Sequence, residues 1–315
     1  MAKIDVAVIL IAFSRVELAR KTFNAIKEAQ PSRFYFYSNK AREEFPEECE
    51  KNEEVRALAQ EVDWDCEFKV WFRDKPVGVL DSLRGAINWF FENEESGIIL
   101  EDDSMPCTAF FDFSAKMLYK YRSNQKVWMI GGSNYAENFN PNNESYHFSK
   151  NFFINGWASW RDRWQKISWE DFDALELVRT GVIDSYYSDP QICKYHKSKI
   201  KEEAVSKKLT KCWDFLFWYT GVLNDALCIT PAHNLVQNLG GKGVHQGPYN
   251  WFRAQLHLVP FNRINYNGDT YIISKPPKRV EENMGFDKAI YQNWLSKQVL
   301  WYFKIARKFY HKLKK

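Results

Sequence analysis

Val6-Ala7-Val8-Ile9-Leu10-Ile11-Ala12 is the stretch that decides the fold. Apolar, largely β-branched residues with no polar break read as a strand buried on both faces, the mark of a sheet covered by helices front and back. Ser14 and Glu17 follow with the Ser-x-x-Glu spacing of a capping box. They predict a helix over 16–29 with Leu18, Phe23 and Ile26 on one side. Pro31 stops that helix, and Arg33 to Tyr37 (RFYFY) makes a second strand. Strand, helix and strand in this order form a right-handed β-α-β unit with parallel strands.

The alternation continues outward. A charged helix is expected over 43–62, a third strand over 68–72, and a helix over 79–92 with Leu83, Ile87 and Phe90 inside. Gly97 to Leu100 (GIIL) is a short buried strand, 110–121 a helix, and 127–130 a strand ending in Gly131-Gly132. The expected fold class is α/β, a doubly wound, Rossmann-like mixed sheet flanked by helices. Such sheets bind ligands beyond the carboxyl ends of their strands. Ser14, Ser38, Arg73 and Glu101-Asp102-Asp103 all follow strand ends and are expected to meet in one crevice. Past Tyr135 the pattern is irregular and rich in Asn and Trp, with no repeat and no linker. The chain reads as one domain over 1–285, with halves 1–134 and 135–285, followed by a helix over 286–315.

Composition sets limits. With 315 residues and 45% hydrophobic content, the chain can bury a large core without disulfides or metals to staple it. A net charge of +4 is too small to predict a nucleic-acid partner. The six cysteines have no C-x-x-C spacing, and the histidines no H-x-x-x-H or H-E-x-x-H pattern, so nothing predicts a zinc site. Neither a P-loop nor G-x-G-x-x-G nor G-x-S-x-G occurs, which argues against kinase, dehydrogenase and hydrolase readings. The amino terminus has no signal-peptide pattern, and reduced thiols fit a cytoplasmic protein.

Glu101, Asp102 and Asp103 need a physical reason to stand together. Like charges that close repel, and a divalent cation relieves them. Hard carboxylate oxygens suit Mg²⁺ or Mn²⁺, which bind one or two carboxylates together with substrate phosphates. The triplet is therefore expected to hold a metal ion and a diphosphate; a solvated acidic turn is the alternative.

Taken together, Ala12-Phe13-Ser14-Arg15 and Gly97-Ile-Ile-Leu-Glu-Asp-Asp103 resemble the GT-A fold nucleotide-diphospho-sugar transferases. The likeness is to a bacterial glycosyltransferase family distantly related to N-acetylglucosaminyltransferase I. Gly156-Trp157-Ala158-Ser159-Trp160-Arg161, Cys212-Trp213-Asp214, Ile229-Thr230-Pro231 and Asn234-Leu-Val-Gln-Asn238 extend it, in order, from about residue 4 to residue 250. The resemblance implies an inverting glycosyltransferase with a nucleotide-sugar donor (UDP-N-acetylglucosamine as first guess) and a glycan or lipid-linked glycan acceptor in surface-polysaccharide synthesis. It implies that Asp103 binds the metal, supported by Asp102 and Glu101, and that Ala12, Phe13 and Arg15 hold nucleobase and diphosphate. Ser38, Arg73 and Arg84 join this expected donor set. Asp214 becomes the candidate catalytic base. Ser38-Asn39-Lys40 and Pro76 depart from the family pattern and leave the donor undefined.

Other segments carry weaker signals. As residues alone, Asp214 reads equally as a helix N-cap. Lys242 and His245, in the glycine-rich run 240–247, are expected to contact the donor from a closing loop. Trp157, Trp160 and Trp164 have the spacing of one helix face, and Trp157, Trp160 and Trp213 are candidates for an acceptor platform. The tail from Ala289 is expected to be helical, with Trp294, Trp301, Ile305, Phe309 and Leu313 on one face and lysines beside them. That pattern suits a helix lying on an anionic membrane surface, peripheral at the inner face of the plasma membrane. Two rival functions stand beside the transferase: a nucleotidyltransferase that makes the nucleotide sugar, and a non-catalytic glycan- or membrane-binding protein on the same fold.

Overall fold

The computed structural model describes residues 3–170, 173–205, 212–240 and 263–296. In chain order the strands are β1 (Ile4–Ala12), β2 (Pro31–Ser38), β3 (Glu67–Phe72), β4 (Ser96–Glu101), β5 (Ser104–Pro106), β6 (Val127–Gly131), β7 (Tyr146–Ser149), β8 (Trp157–Trp160), β9 (Leu227–Pro231) and β10 (Val236–Asn238). Helices α1 (Val16–Ala29), α2 (Pro46–Ala57), α3 (Val79–Asn93) and α4 (Thr108–Tyr121) alternate with the first of them. Farther along come α5 (Arg161–Trp164), α6 (Glu176–Arg179), α7 (Val182–Tyr186), α8 (Pro190–Val205), α9 (Trp213–Leu223) and α10 (Met284–Ile290).

Eight strands form one sheet in the order β3-β2-β1-β4-β8-β6-β9-β7, and β5 pairs with β10 in a small second sheet. Neighbours β3, β2, β1 and β4 are parallel, and so are β6 and β9; β8 and β7 run against them. The second half of the chain thus supplies β7, β8 and β9 to the same sheet as the first. The alternation along β1 explains why it carries no polar break. Val6, Val8, Leu10 and Ala12 pack with α1 and α4 on one side, and Ala7, Ile9 and Ile11 with α3 and α9 on the other.

The helix starts are less local than expected. The residue before α1 is Arg15, and no side chain caps the helix, so the Ser14–Glu17 box does not form. Instead the Arg15 side chain reaches across to β4's carboxyl end. Pro31 opens β2 rather than merely ending a helix; Gln30 makes the turn in the left-handed region, at φ 50°. The expected helix over 43–62 is shorter: α2 begins with Pro46 at its first turn, where the missing N–H costs nothing.

The segment 157–164 is the largest departure. It is a strand followed by one helical turn, not a helix. In a strand, residues three apart face opposite sides, so Trp157 and Trp160 enter different core layers. The beginning of the tail also differs. Phe286 and Ile290 of α10 are buried, and Ser149 Oγ, the Lys150 N–H and Asn151 Nδ2 donate to the buried Asp287 carboxylate. Trp294 stacks on Tyr135, with ring centroids 5.5 Å apart, so it belongs to the body of the protein and not to a membrane-facing stripe. Trp301, Ile305, Phe309 and Leu313 lie outside the described residues. No helix among the described residues is long and apolar enough to cross a membrane.

Gly97 shows how tightly the sheet is covered. A Cβ built there would lie 2.3 Å from Phe90 Cζ and 2.7 Å from the Ala7 carbonyl oxygen. Gly97→Ala should therefore destabilise the protein by about 1–3 kcal/mol. Urea denaturation should show a lower midpoint at unchanged slope.

Candidate functional site

In the sheet, β1 lies between β2 and β4 and is parallel to both. The chain leaves β1 toward β2 and β3 on one side and returns to β4 on the other. The carboxyl ends of β1 and β4 therefore flank the topological switch point, where doubly wound sheets open a ligand crevice. Ala12 to Arg15 follow β1 there, and Glu101 to Asp103 end β4, so the structure brings the two stretches together.

Arg15 joins them. Its guanidinium forms an ion pair with Asp102 and donates to Asp103 Oδ2 at 2.8 Å. Burial alone would lower its pKa, but the Asp102 and Asp103 charges outweigh that and raise it. Asp102 is 3% exposed. Its backbone N–H donates to the Ile11 carbonyl at 3.1 Å, and its own carbonyl accepts from Thr22 Oγ1 at 3.0 Å. Asp102 is thus bound on all sides within the protein, as counter-ion to Arg15. That corrects the expectation that it is a metal ligand. The half-buried Asp103 and Glu101 remain toward the crevice. The Glu101 carboxyl is pushed up to about 8, first by burial and then by the Asp103 and Asp102 charges, with Arg15 opposing.

Asp214 also contributes to that rise in Glu101, which puts it within electrostatic range of the triplet. It lies in the first turn of α9, one residue inside the helix, and Cys212 is the cap residue. The Asp214 side chain reaches solvent, yet surrounding protein raises its pKa; backbone N–H groups of Phe215 and Asp214 itself oppose the shift. Its neighbour Trp213 stacks on Trp157 at 5.5 Å, and Trp157 is paired with Ile99, two residues before Glu101. This contact holds the start of α9 near the end of β4.

A divalent cation fits only in a shared fashion. Among the described residues no group of three or more His, Cys, Asp or Glu side chains is placed to hold a metal. With Asp102 turned inward, Asp103 and Glu101 offer oxygens, the right donor type for Mg²⁺ or Mn²⁺. Such a set suits an ion that brings phosphate and water oxygens with it, not one caged by protein.

The remaining expected residues fall differently. Ala12 is buried at the end of β1, so it can meet a ligand only through its backbone. Ser38 is fully buried, and its hydroxyl accepts from Asn52 Nδ2 at 3.1 Å; it does not face a donor. Arg73 stacks on Trp71 at 4.6 Å and donates from Nε to the Tyr37 hydroxyl at 2.5 Å, along the α3 side of the sheet. Arg84 lies over the Trp169 ring at 4.6 Å. Neither arginine contacts the triplet among the described interactions. Trp157, Trp160 and Trp213 are 1%, 4% and 5% exposed, so they are core and cannot offer a sugar platform. Lys242 and His245 lie outside the described residues.

Several supporting residues escaped the sequence reading. Asn52 Nδ2 lies 2.7 Å from the Phe13 carbonyl and 3.1 Å from the Asn39 carbonyl, in addition to its Ser38 contact. One turn later, Arg56 Nη2 donates to the carbonyls of Asn39, at 3.2 Å, and Arg73, at 2.8 Å. Together they tie the loops after β1, β2 and β3 to one helix. The one available signal was an Asn, a poor helix former, four residues before an Arg inside a charged helix. On the other side, the chain just after β10 passes the triplet: the Leu239 N–H donates to the Asp103 carbonyl at 2.7 Å. A Cβ at Gly240 would come within 2.2 Å of Asp103 Oδ2, so a larger residue there would have to displace the Asp103 carboxylate.

No family model matches this chain, and no curated protein does. Among solved structures, the glycosyltransferase GlyE of Streptococcus pneumoniae TIGR4 is similar at a TM-score of 0.37 and 10% identity. The match covers 94% of this chain and 64% of that one, so the chain spans less than two thirds of its length. A likeness that slight fixes neither the fold nor the activity of this protein.

The Glu101 shift has a measurable consequence. Between its ordinary 4.5 and about 8, the folded protein keeps a proton that the unfolded chain gives up. Stability from this group is therefore full below 4.5 and is lost as pH rises through that window. In urea titrations with EDTA, Glu101→Gln should be more stable than the wild type at pH 8, by more than about 1 kcal/mol, and equal to it at pH 4. An equal difference at both pH values would mean that the carboxyl titrates normally.

Proposed function

We propose that this protein is a glycosyltransferase that transfers a sugar from a nucleotide-sugar donor to a glycan acceptor. The observation that carries the reading is the juxtaposition of Arg15, Glu101 and Asp103 at the β1–β4 switch point, with Asp214 in electrostatic range. The resemblance of the same stretches to GT-A transferases points the same way and implies an inverting course, with UDP-N-acetylglucosamine as the first donor to try.

In this reading the donor's diphosphate lies beside Arg15 and Asp103. Asp103, with Glu101 in support, would hold a Mn²⁺ or Mg²⁺ ion, which would supply Lewis-acid neutralisation of the leaving diphosphate. Arg15 adds a fixed positive charge, which Asp102 keeps in place. Phe13 and the backbone of Ala12 border the nucleoside. The acceptor oxygen bonds to the anomeric carbon as the carbon–oxygen bond to the diphosphate breaks, and that electron pair leaves on the diphosphate. Asp214 takes the proton of the acceptor hydroxyl. Asp214 is solvent-exposed at the start of α9, open to an incoming hydroxyl.

Calorimetric titration of nucleoside diphosphates and nucleotide sugars, with Mn²⁺ and with EDTA, tests this. One nucleotide should bind in a metal-dependent way, and Asp103→Ala should weaken it at least tenfold. Asp214→Asn should keep that binding and lower transfer by about 10²-fold or more. If no nucleotide binds the wild type with metal present, the transferase reading fails. Pyrophosphate release from a nucleoside triphosphate would favour the nucleotidyltransferase instead.

A further inference from the structure

A cavity of about 400 Å³ opens beside Asp214, between the segment after β7 and helices α8 and α9. That volume is within the range of small-molecule sites. Its walls are mostly aromatic. Tyr187, His196 and Trp218 form a continuous stack, with His196 4.4 Å from Tyr187 and 5.2 Å from Trp218, nearly parallel to both. Phe215 packs on Trp218 at 5.3 Å, and Phe152 completes the lining on the β7 side. Trp218 Nε1 donates to the Tyr187 hydroxyl at 3.0 Å, which fixes the ring orientation. Burial pushes the His196 pKa down to about 3, so its ring is neutral, and Nε2 is buried without a hydrogen-bond partner.

Charge in the lining is balanced. Among the described lining residues the ionised groups are Asp214 and Lys199, one of each sign, and Lys199 is 3.6 Å from Glu202. A polyanion would find too little positive charge here, and a cation would find only Asp214. A purely apolar ligand would leave the Asp214 carboxylate without use. An uncharged pyranose ring matches both features: its C–H face suits aromatic walls, and its hydroxyl rim needs a few polar partners.

We propose that this cavity binds an uncharged pyranoside and presents one of its hydroxyls to Asp214. Its role as the acceptor site rests on the transferase reading above; its affinity for saccharide does not. The tryptophans expected from sequence to form the platform are core, and the aromatic residues that serve are the less conspicuous ones on α8 and α9.

The test is saturation-transfer NMR on the full chain without nucleotide or metal. The probes are the methyl β-pyranosides of glucose, galactose and N-acetylglucosamine, with methyl glucuronide as the charged comparison. At least one neutral glycoside should bind, more tightly than the glucuronide. Phe215→Ala, at the half-buried start of α9, should weaken it at least fivefold. Trp218→Phe, which keeps an aromatic ring and so spares the fold, should weaken it at least twofold. Nucleotide affinity with Mn²⁺ should be unchanged in both variants. If no neutral glycoside binds, if the glucuronide binds best, or if neither variant changes the affinity, the proposal is overturned. Saccharide binding that persists in a protein with no nucleotide affinity would leave the cavity's assignment standing and remove the transferase reading.

Discussion

Everything at the head of the sheet depends on one constraint: three carboxylates end a single buried strand, and they cannot all remain charged and unpaired. Arg15 resolves part of this from within. It comes from the loop after β1, the strand adjacent to β4, and so the ion pair also locks the two edges of the switch point together. Removing Arg15 would leave the buried Asp102 carboxylate without its partner charge. The pairing divides three similar residues into different roles. Asp102 is spent on Arg15. Asp103 is shared between the guanidinium and the crevice. Glu101 is pushed up to about 8, by burial first and by the remaining repulsion second.

A site made of loop ends needs those loops fixed, because loops are the mobile part of an α/β fold. Helix α2 does this on one side with Asn52 and Arg56, whose side chains bond to backbone carbonyls of the loops after β1, β2 and β3 and to the Ser38 hydroxyl. The residues after strand β10 do it on the other, passing Asp103 at Leu239 and Gly240. These contacts also explain why Ser38 lies buried. Its hydroxyl is part of the scaffold beneath the crevice.

The outline of the sheet was legible because buried parallel strands leave unbroken apolar runs, and β1, β2 and β4 each have one. The strand β8 was not. An antiparallel strand inserted among parallel ones need only alternate over four residues, and Trp157, Trp160 and Trp164 happen to repeat with helical spacing. Period alone cannot separate the two in so short a segment. The distinction between Asp102 and Asp103 was equally invisible. Which carboxylate turns inward depends on where Arg15 reaches, and that depends on the pairing of β1 with β4 rather than on any local pattern. The capping box failed for a related reason: the residue at the start of α1 is committed to a tertiary contact.

The same reasoning clarifies how a tryptophan-rich segment can serve a site without touching a ligand. Trp157 sits in β8 beside Ile99 of β4 and stacks on Trp213 at the start of α9. Asp214 is the next residue. Its position relative to Glu101 is therefore set through two large, fully packed rings, which have few ways to yield. A carboxyl placed by an exposed loop would be free to pair with Arg15 or with solvent. One placed by a packed aromatic contact stays near the triplet at a distance where charge is felt but no hydrogen bond forms to it among the described residues. The indoles of Trp157 and Trp213 contribute rigidity here, while the cavity beyond Asp214 is lined by other aromatic side chains, Trp218 and Phe215 among them.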